Sequence, residues 1–395
     1  MTARKHPVRP GHGRPSRRAR GIRVAVCIDT REGPGRERLA GAYGYALKRD
    51  WRLFLVRGDD DIACRQMPGL HVDGAILYDR GASLHRALRR LGVITVEASA
   101  RNLEYDDAAV FADDAKIARM AAAHLMERGF EHFAYCGMND SHQSLVRGDS
   151  FVRHLKSKGF AVTKFDGVWP DGEVSLAPLI RWLRAMPKPS GVLASDDRVA
   201  ERVLAGCRLA GLNVPDDVGV LGTSNDELLC ELTYPRLSSV ALPTVEIGRQ
   251  AAELLETLLR GRRLVRNHRA LPPLEVVVRA STDRLSTKDP KVAAAIEFIR
   301  AKGRQPIGTA QVAEAVGMSR RTLERRLAAA TGQTVHQFLV EVRLRNAKQF
   351  LRHSDAPLSE VARHCGYLAT SAFTRMFAAS AGCHPEAYRK RYQGR

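Results

Sequence analysis

Apolar positions along this chain follow two rhythms, one after the other. From residue 22 to about residue 284, short runs rich in apolar and β-branched side chains recur at 22–28, 52–56, 74–77, 93–97, 132–137, 191–195, 218–222 and 275–279. Amphipathic stretches such as 116–128 and 245–260 separate them. Near-continuous apolar strands alternating with helices predict parallel sheets covered on both faces. Eight or more such runs predict two doubly wound lobes rather than one. Ligands of open α/β sheets lie beyond the carboxyl ends of the strands, which in a two-lobe protein is the cleft between the lobes.

From residue 288 onward the rhythm becomes helical throughout. Asp289-Pro290 opens the first helix, with proline in the first turn where it is tolerated. An internal repeat follows. Its first copy runs Val312-Ala313-Glu314-Ala315-Val316-Gly317, then from Met318 to Leu327. Its second runs Val361-Ala362-Arg363-His364-Cys365-Gly366, then from Tyr367 to Phe377. In each copy three small or apolar residues share one helical face, and a glycine suits the tight turn that follows. Leu323 and Leu327, like Phe373, Met376 and Phe377, place an apolar stripe on the next helix. The copies predict two helix-turn-helix motifs, at about 309–330 and 358–381, joined by a linker helix at about 334–353. The opposite faces would then meet DNA, with Ser319, Arg320, Arg321, Thr322, Arg325 and Arg326 on the first reader. Thr370, Ser371, Thr374 and Arg375 lie on the second.

Charge supports this placement. The 395-residue chain carries a net charge of +20, which implies a polyanionic partner. Residues 288–395 hold 19 Lys and Arg against 8 Asp and Glu. Residues 1–21 add seven basic residues and no acid, and read as a disordered basic arm. A hydrophobic content of 44% allows a full core. No apolar run approaches the roughly 18 residues of a membrane span, and no signal peptide is recognised, so a cytoplasmic protein without membrane partners is expected. The seven cysteines are scattered and none is in C-x-x-C spacing, so neither a metal site nor a disulfide framework is expected.

The residues of the repeat resemble the DNA-binding domain of the AraC family. The resemblance covers 288–392 and rests on Ser319-Arg320-Arg321-Thr322-Leu323-Glu324-Arg325-Arg326, Leu358-Ser359-Glu360-Val361-Ala362 and Gly382-Cys383-His384-Pro385. The segment 22–284 resembles the LacI and periplasmic-binding-protein sensor fold. There the matching stretches are Ala123-His124-Leu125-Met126-Glu127-Arg128-Gly129-Phe130, residues 191–198, residues 212–222 and Leu237-Ser238-Ser239-Val240. Together they imply an α/β two-lobe, periplasmic-binding-protein-like sugar sensor followed by an all-α, AraC-type domain with two helix-turn-helix motifs. That architecture implies a homodimer on double-stranded operator DNA, contacting RNA polymerase and gated by a small sugar such as the pentose D-xylose, with no cofactor.

The same resemblance points to Arg36, Arg147 and Asp196 as sugar contacts. Related sensors carry an aspartate shortly after the glycine at 222; here Ser224 stands at that place, with Asn225 beside it. A hydroxyl lacks the charge-assisted bonds of a carboxylate, so a different sugar remains open, as does a ligand-independent DNA binder with a vestigial sensor. Trp51, Trp169 and Trp182 are available as sugar-stacking faces. An enzyme on a nucleotide-binding fold is disfavoured, because the first strand–helix junction, Asp29-Thr30-Arg31-Glu32-Gly33-Pro34-Gly35, has neither dinucleotide-binding nor P-loop spacing.

Overall fold

The computed structural model describes residues 21–78, 80–100, 108–138, 142–165, 176–262, 268–284 and 289–393. Nearly all of the basic arm, and Trp169, lie outside the described residues. Packing divides the chain into two compact units, up to Arg284 and from Leu285 onward.

The first unit begins with β1 (Ile22–Cys27), α1 (Gly33–Ala46), β2 (Trp51–Leu55), α2 (Asp60–Leu70), β3 (Gly74–Leu77), α3 (Ala82–Arg90), β4 (Ile94–Glu97) and β5 (Ala109–Ala112). These strands and β11 (His268–Leu271) form one parallel sheet in the order β11-β5-β4-β3-β1-β2. A second sheet collects β6 (His132–Cys136), β7 (Val162–Phe165), β8 (Ser190–Ala194), β9 (Val218–Ser224), β10 (Ser238–Ala241) and β12 (Val276–Val277). Its order is β12-β10-β9-β8-β6-β7, parallel except for β12. The helices α4 (Asp114–Glu127), α5 (His142–Ser157), α6 (Ala177–Ala185), α7 (Asp197–Ala210) and α8 (Glu227–Leu232) belong to this second lobe. α9 (Thr244–Leu259) returns to the first. Central strands such as β3 and β8 are buried along their whole length, as expected of sheets covered on both faces.

The chain crosses between the lobes at 112–114, 241–244 and 271–276. Backbone bonds knit these crossings together: Asp113 N–H donates to the Leu271 carbonyl at 2.8 Å, and Ala241 N–H to that of Glu275 at 2.8 Å. Beside them, α1 and α9 pack with almost no space between backbones. A Cβ at Gly41 would strike the Val245 carbonyl, and one at Gly248 would strike that of Arg38. These glycines therefore fix the height of α1 over the first sheet, and α1 carries cleft residues.

The second unit is helical: α10 (Pro290–Lys302), α11 (Thr309–Ala315), α12 (Arg320–Thr331), α13 (Val335–His353), α14 (Leu358–His364), α15 (Thr370–Ala381) and α16 (Pro385–Gln393). Local capping explains the boundaries. Asp289 accepts from the N–H of Lys291 and Val292 at the start of α10. Ser319 caps α12 by accepting from Thr322 N–H at 3.1 Å. Thr334 and Gln337 cap α13 reciprocally at 3.1 and 2.8 Å. The repeat does not divide the unit, because α13 is common to both halves of the core. Val335, Leu339 and Val342 pack with α10 to α12, and Ala347 and Leu351 pack with Phe373, Phe377 and Tyr388. Arg343 adds a brace, donating to the carbonyls of Gly303, Gln305 and Ile307 at 2.8–3.2 Å. Its guanidinium also lies 5.0 Å from the Tyr367 ring centre.

Candidate functional site

The carboxyl ends of both sheets face a cavity of about 790 Å³, its open mouth included, between the two lobes of the first unit. Glu32, Arg38, Tyr78, Ser99 and Phe111 line it from the first lobe, and Arg147, Ser195, Asp196, Arg198 and Ser224 from the second. The position follows from the fold, since residues just past strand ends are the ones a parallel sheet presents to a ligand.

Arg147, on α5, is the best-anchored polar group there. It is 5% exposed. Its Nε and Nη2 reach Asp114 Oδ1 at 2.9 and 2.8 Å, and its Nη1 donates to the Ser195 carbonyl. Burial works against the Arg147 charge, yet the surrounding carboxylates, Asp114 foremost, hold its pKa above the usual guanidinium value. Burial pushes the Asp114 carboxyl up, and Arg147 opposes that shift. The pair fixes the rotamer of Arg147 and leaves little freedom to lose on binding a ligand.

The start of α7 and the end of β9 form the opposite lip. Asp196 caps α7, accepting from Val199 N–H at 2.9 Å. Asp197 behind it is fully sequestered, accepting from the Ser239 hydroxyl at 2.5 Å and the Asp226 N–H at 2.7 Å. Burial lifts its carboxyl to a pKa of about 7. Ser224 and Asn225 have φ of 109° and 56°. Both lie in the left-handed region that L-residues avoid, and Ser224 in particular carries backbone strain at the cleft edge. Two contacts cross from α1 to this lip: Gly33 N–H donates to Asp226 at 2.8 Å, and Glu32 pairs with Arg198 at 2.7 Å. Burial raises the Glu32 carboxyl, with Arg198 opposing.

The structure thus brings Arg147, Asp196 and Ser224 into one cavity and leaves two candidates outside it. Arg36 is exposed, with its Nη1 donating to the carbonyls of Thr30 and Arg31 at 3.0 and 2.8 Å. Asn225 is turned to Arg279, which donates to its Oδ1 at 2.9 Å. Trp51 packs on Tyr45 and Trp182 on Phe165 within the two lobe cores, so the cleft's aromatic faces are Tyr78 and Phe111 instead. Sequence reasoning missed Arg38, two residues beyond Arg36 on the buried side of α1.

On the second unit, Ser319, Arg320, Arg321 and Arg325 stand exposed on or at the start of α12, and Thr322 is half-buried. Arg326 is drawn to the first helix's cap, donating to Asp289 at 3.2 Å. On α15, Ser371 and Arg375 are exposed and Thr370 and Thr374 half-buried. Among the described residues no group of three or more His, Cys, Asp or Glu could hold a metal, and no helix is long and apolar enough to cross a membrane. Cys27, Cys207 and Cys365 are buried, with thiols pushed up to about 12 by desolvation.

Known proteins match both units. The family described as a periplasmic binding protein-like domain matches residues 122–282, and a helix-turn-helix domain matches 312–391. The xylose operon regulatory protein of Haemophilus influenzae is 32% identical over 283 residues, covering 70% of this chain and 73% of its own length. Its Escherichia coli K12 counterpart is 30% identical, covering 70% and 72%. A solved xylose-binding transcription activator superposes with a TM-score of 0.63 at 26% identity, covering 93% of this chain and 97% of its own. A LacI family regulator from Arthrobacter sp. FB24, in complex with lactose, gives a TM-score of 0.55 at 26% identity over 66% of this chain and 98% of its own.

These findings correct the sequence reading of the DNA-binding unit, which matches as one helix-turn-helix domain spanning both helix pairs, not as an AraC-type domain with two motifs; the LacI-like reading of the sensor agrees with solved relatives named for that family. The physical reason lies in what the repeat measures. Glycine and apolar spacing record the demands of a tight turn between packed helices, and they identify neither a family nor a separate motif when one helix, α13, supports both pairs. The chain belongs to the family of the xylose operon regulatory proteins, DNA-binding transcriptional regulators of sugar operons that join a LacI-like, periplasmic-binding-protein-like sensor to a helix-turn-helix domain.

Proposed function

We propose that the chain is a homodimeric regulator in which a pentose such as D-xylose occupies the lobe cleft and changes how the second unit engages operator DNA and RNA polymerase. In this reading residues 22–284 sense the sugar and residues 288–395 bind DNA. The observation that carries it is Arg147, a buried guanidinium locked by Asp114 at the wall of a polar cavity. Arg147, Asp196 and Ser224 supply donors and acceptors for sugar hydroxyls. Arg36 and Asn225 take supporting roles, holding the turn before α1 and the end of β9. The named specificities of the relatives favour a pentose. The exposed groups of α12 and α15, with Ser319, Arg320, Arg321, Thr322 and Arg325 on one and Thr370, Ser371, Thr374 and Arg375 on the other, meet bases and phosphates. Arg326 serves mainly to hold α10.

A ligand shifts this equilibrium only through different affinity for the two arrangements. Footprinting of the full chain on promoters beside its own gene, with and without D-xylose and other pentoses, tests the reading. Protection whose extent or affinity changes with one pentose is expected. Identical footprints in every sugar would remove the gating, and absence of protection would remove the DNA-binding assignment.

A further inference from the structure

The cleft contains one more guanidinium than its carboxylates engage. Arg147 is matched by Asp114 and Arg198 by Glu32. Arg38 is not matched. Its side chain lines the cavity and is 4% exposed, yet among the described residues it forms no ion pair. Its one hydrogen bond runs from Nη1 to the Pro34 carbonyl at 3.0 Å, and its plane stacks on the Tyr78 ring at 4.1 Å. The adjacent carboxylate, Glu37, accepts from the Thr244 hydroxyl instead. Among the described residues Nε is buried without a partner. The Nε and Nη2 edge, the fork that takes a carboxylate or phosphate by two parallel bonds, is therefore free.

A buried cation without a counter-ion is among the least tolerated features of a protein interior. Here the backbone offers no relief, because α1 is clamped at Arg38 against Gly248. Two further observations point the same way. Ser195, 3% exposed on the opposite wall, has a hydroxyl without a partner among the described residues. Ser224 lines the cavity with a neutral hydroxyl, which does not repel an anion as a carboxylate would.

We propose that the effector is an anionic sugar derivative, a pentose skeleton bearing a carboxylate or a phosphate, whose charged oxygens are held by Arg38 while the Ser195 and Ser224 hydroxyls donate to it. The proposal rests on the reading of the cleft as the sugar site and specifies the chemistry of its ligand. Calorimetry on the full chain with D-xylose, D-xylonate and D-xylose 5-phosphate tests it. At least one anion binds about 30-fold or more tightly than D-xylose, the range of a charge-assisted bidentate pair. Whichever anion does so identifies the charged group. Arg38→Met removes that advantage, read as the ratio of anion to D-xylose affinity, while its melting temperature stays at or above that of the parent chain because a buried unpaired charge is gone. Arg38→Lys, which keeps the charge and loses the fork, falls between the two and serves if Arg38→Met does not fold. D-xylose binding as tightly as both anions, with no response to Arg38→Met, overturns the proposal and leaves the sugar cleft standing. Binding of none of the three to folded protein overturns both.

Discussion

Gly366→Ala probes the joint that makes the second unit one body. Gly366 has φ of +77°, and a Cβ there would lie 2.5 Å from the Gln305 carbonyl oxygen and 2.9 Å from that of Gly303. Holding an L-residue in the left-handed region costs about 1–2 kcal/mol. Displacing two backbone oxygens adds about 1–3 kcal/mol, the usual range for overpacking, and Arg343 resists the displacement by holding both carbonyls. The expected loss is about 2–5 kcal/mol. Gly317 occupies the corresponding turn of the first helix pair, with φ of +59° and nothing within 4 Å of its Cβ position, so Gly317→Ala carries only the conformational cost of about 1–2 kcal/mol. The three tryptophans, Trp51, Trp169 and Trp182, all precede residue 285. Urea unfolding of the full chain can therefore follow the sensor by tryptophan emission and the helical unit by the remaining far-ultraviolet dichroism, fitted as two transitions. Both variants leave the tryptophan transition in place, and Gly366→Ala moves the other one further. Equal shifts, or a Gly366→Ala effect within about 0.5 kcal/mol of zero, where ordinary surface changes fall, would refute the reasoning.

Three other outcomes are expected. Arg147→Met strands Asp114 in the cleft wall and lowers sensor stability by about 3–5 kcal/mol; adding Asp114→Asn restores much of it without restoring ligand binding, as a double-mutant cycle in urea and calorimetry would show. The Asp197 carboxyl is raised from 3.8 to about 7 in the folded chain, so the folded state binds the extra proton and stability falls as pH rises from about 4 to about 7. Asp197→Asn should gain on the parent chain across that window in tryptophan-monitored unfolding, and a difference that stays flat would contradict the assignment. Arg320→Ala and Arg325→Ala each weaken operator binding without changing sensor unfolding; where the lost contact is to phosphate, the logarithmic salt dependence drops by about one, measurable by fluorescence anisotropy.

The two-lobe organisation was legible because buried parallel strands announce themselves as apolar runs. Two of the strands that escaped notice lack that signature. β10 reads Ser-Ser-Val-Ala, and its two serines are tolerated in the core only because Asp197, Arg279, Ser281 and Thr282 satisfy them. β11 is an edge strand with alternating exposed positions, including His268 and Ala270, and nothing local indicates that the chain returns to the first sheet after ten strands. Within the site, Asp196 follows from its place just past a strand, and Arg147 comes only from the resemblance. For Arg36 neither suffices, because two arginines stand two apart on α1 and only burial shows which one turns inward. The repeat anticipated helices at these positions, but spacing alone could not reveal that Arg343 and Gly366 weld the two pairs together.

The three crossings between the lobes have a mechanical meaning. Three crossing segments cross-linked by the Asp113–Leu271 and Ala241–Glu275 bonds form a short ribbon, easier to bend across its face than to shear. Bending of this ribbon is the direction in which one lobe meets least resistance against the other. A ligand that reports its presence through that bend is read by the opening it sets, so two ligands that set the same opening send the same signal.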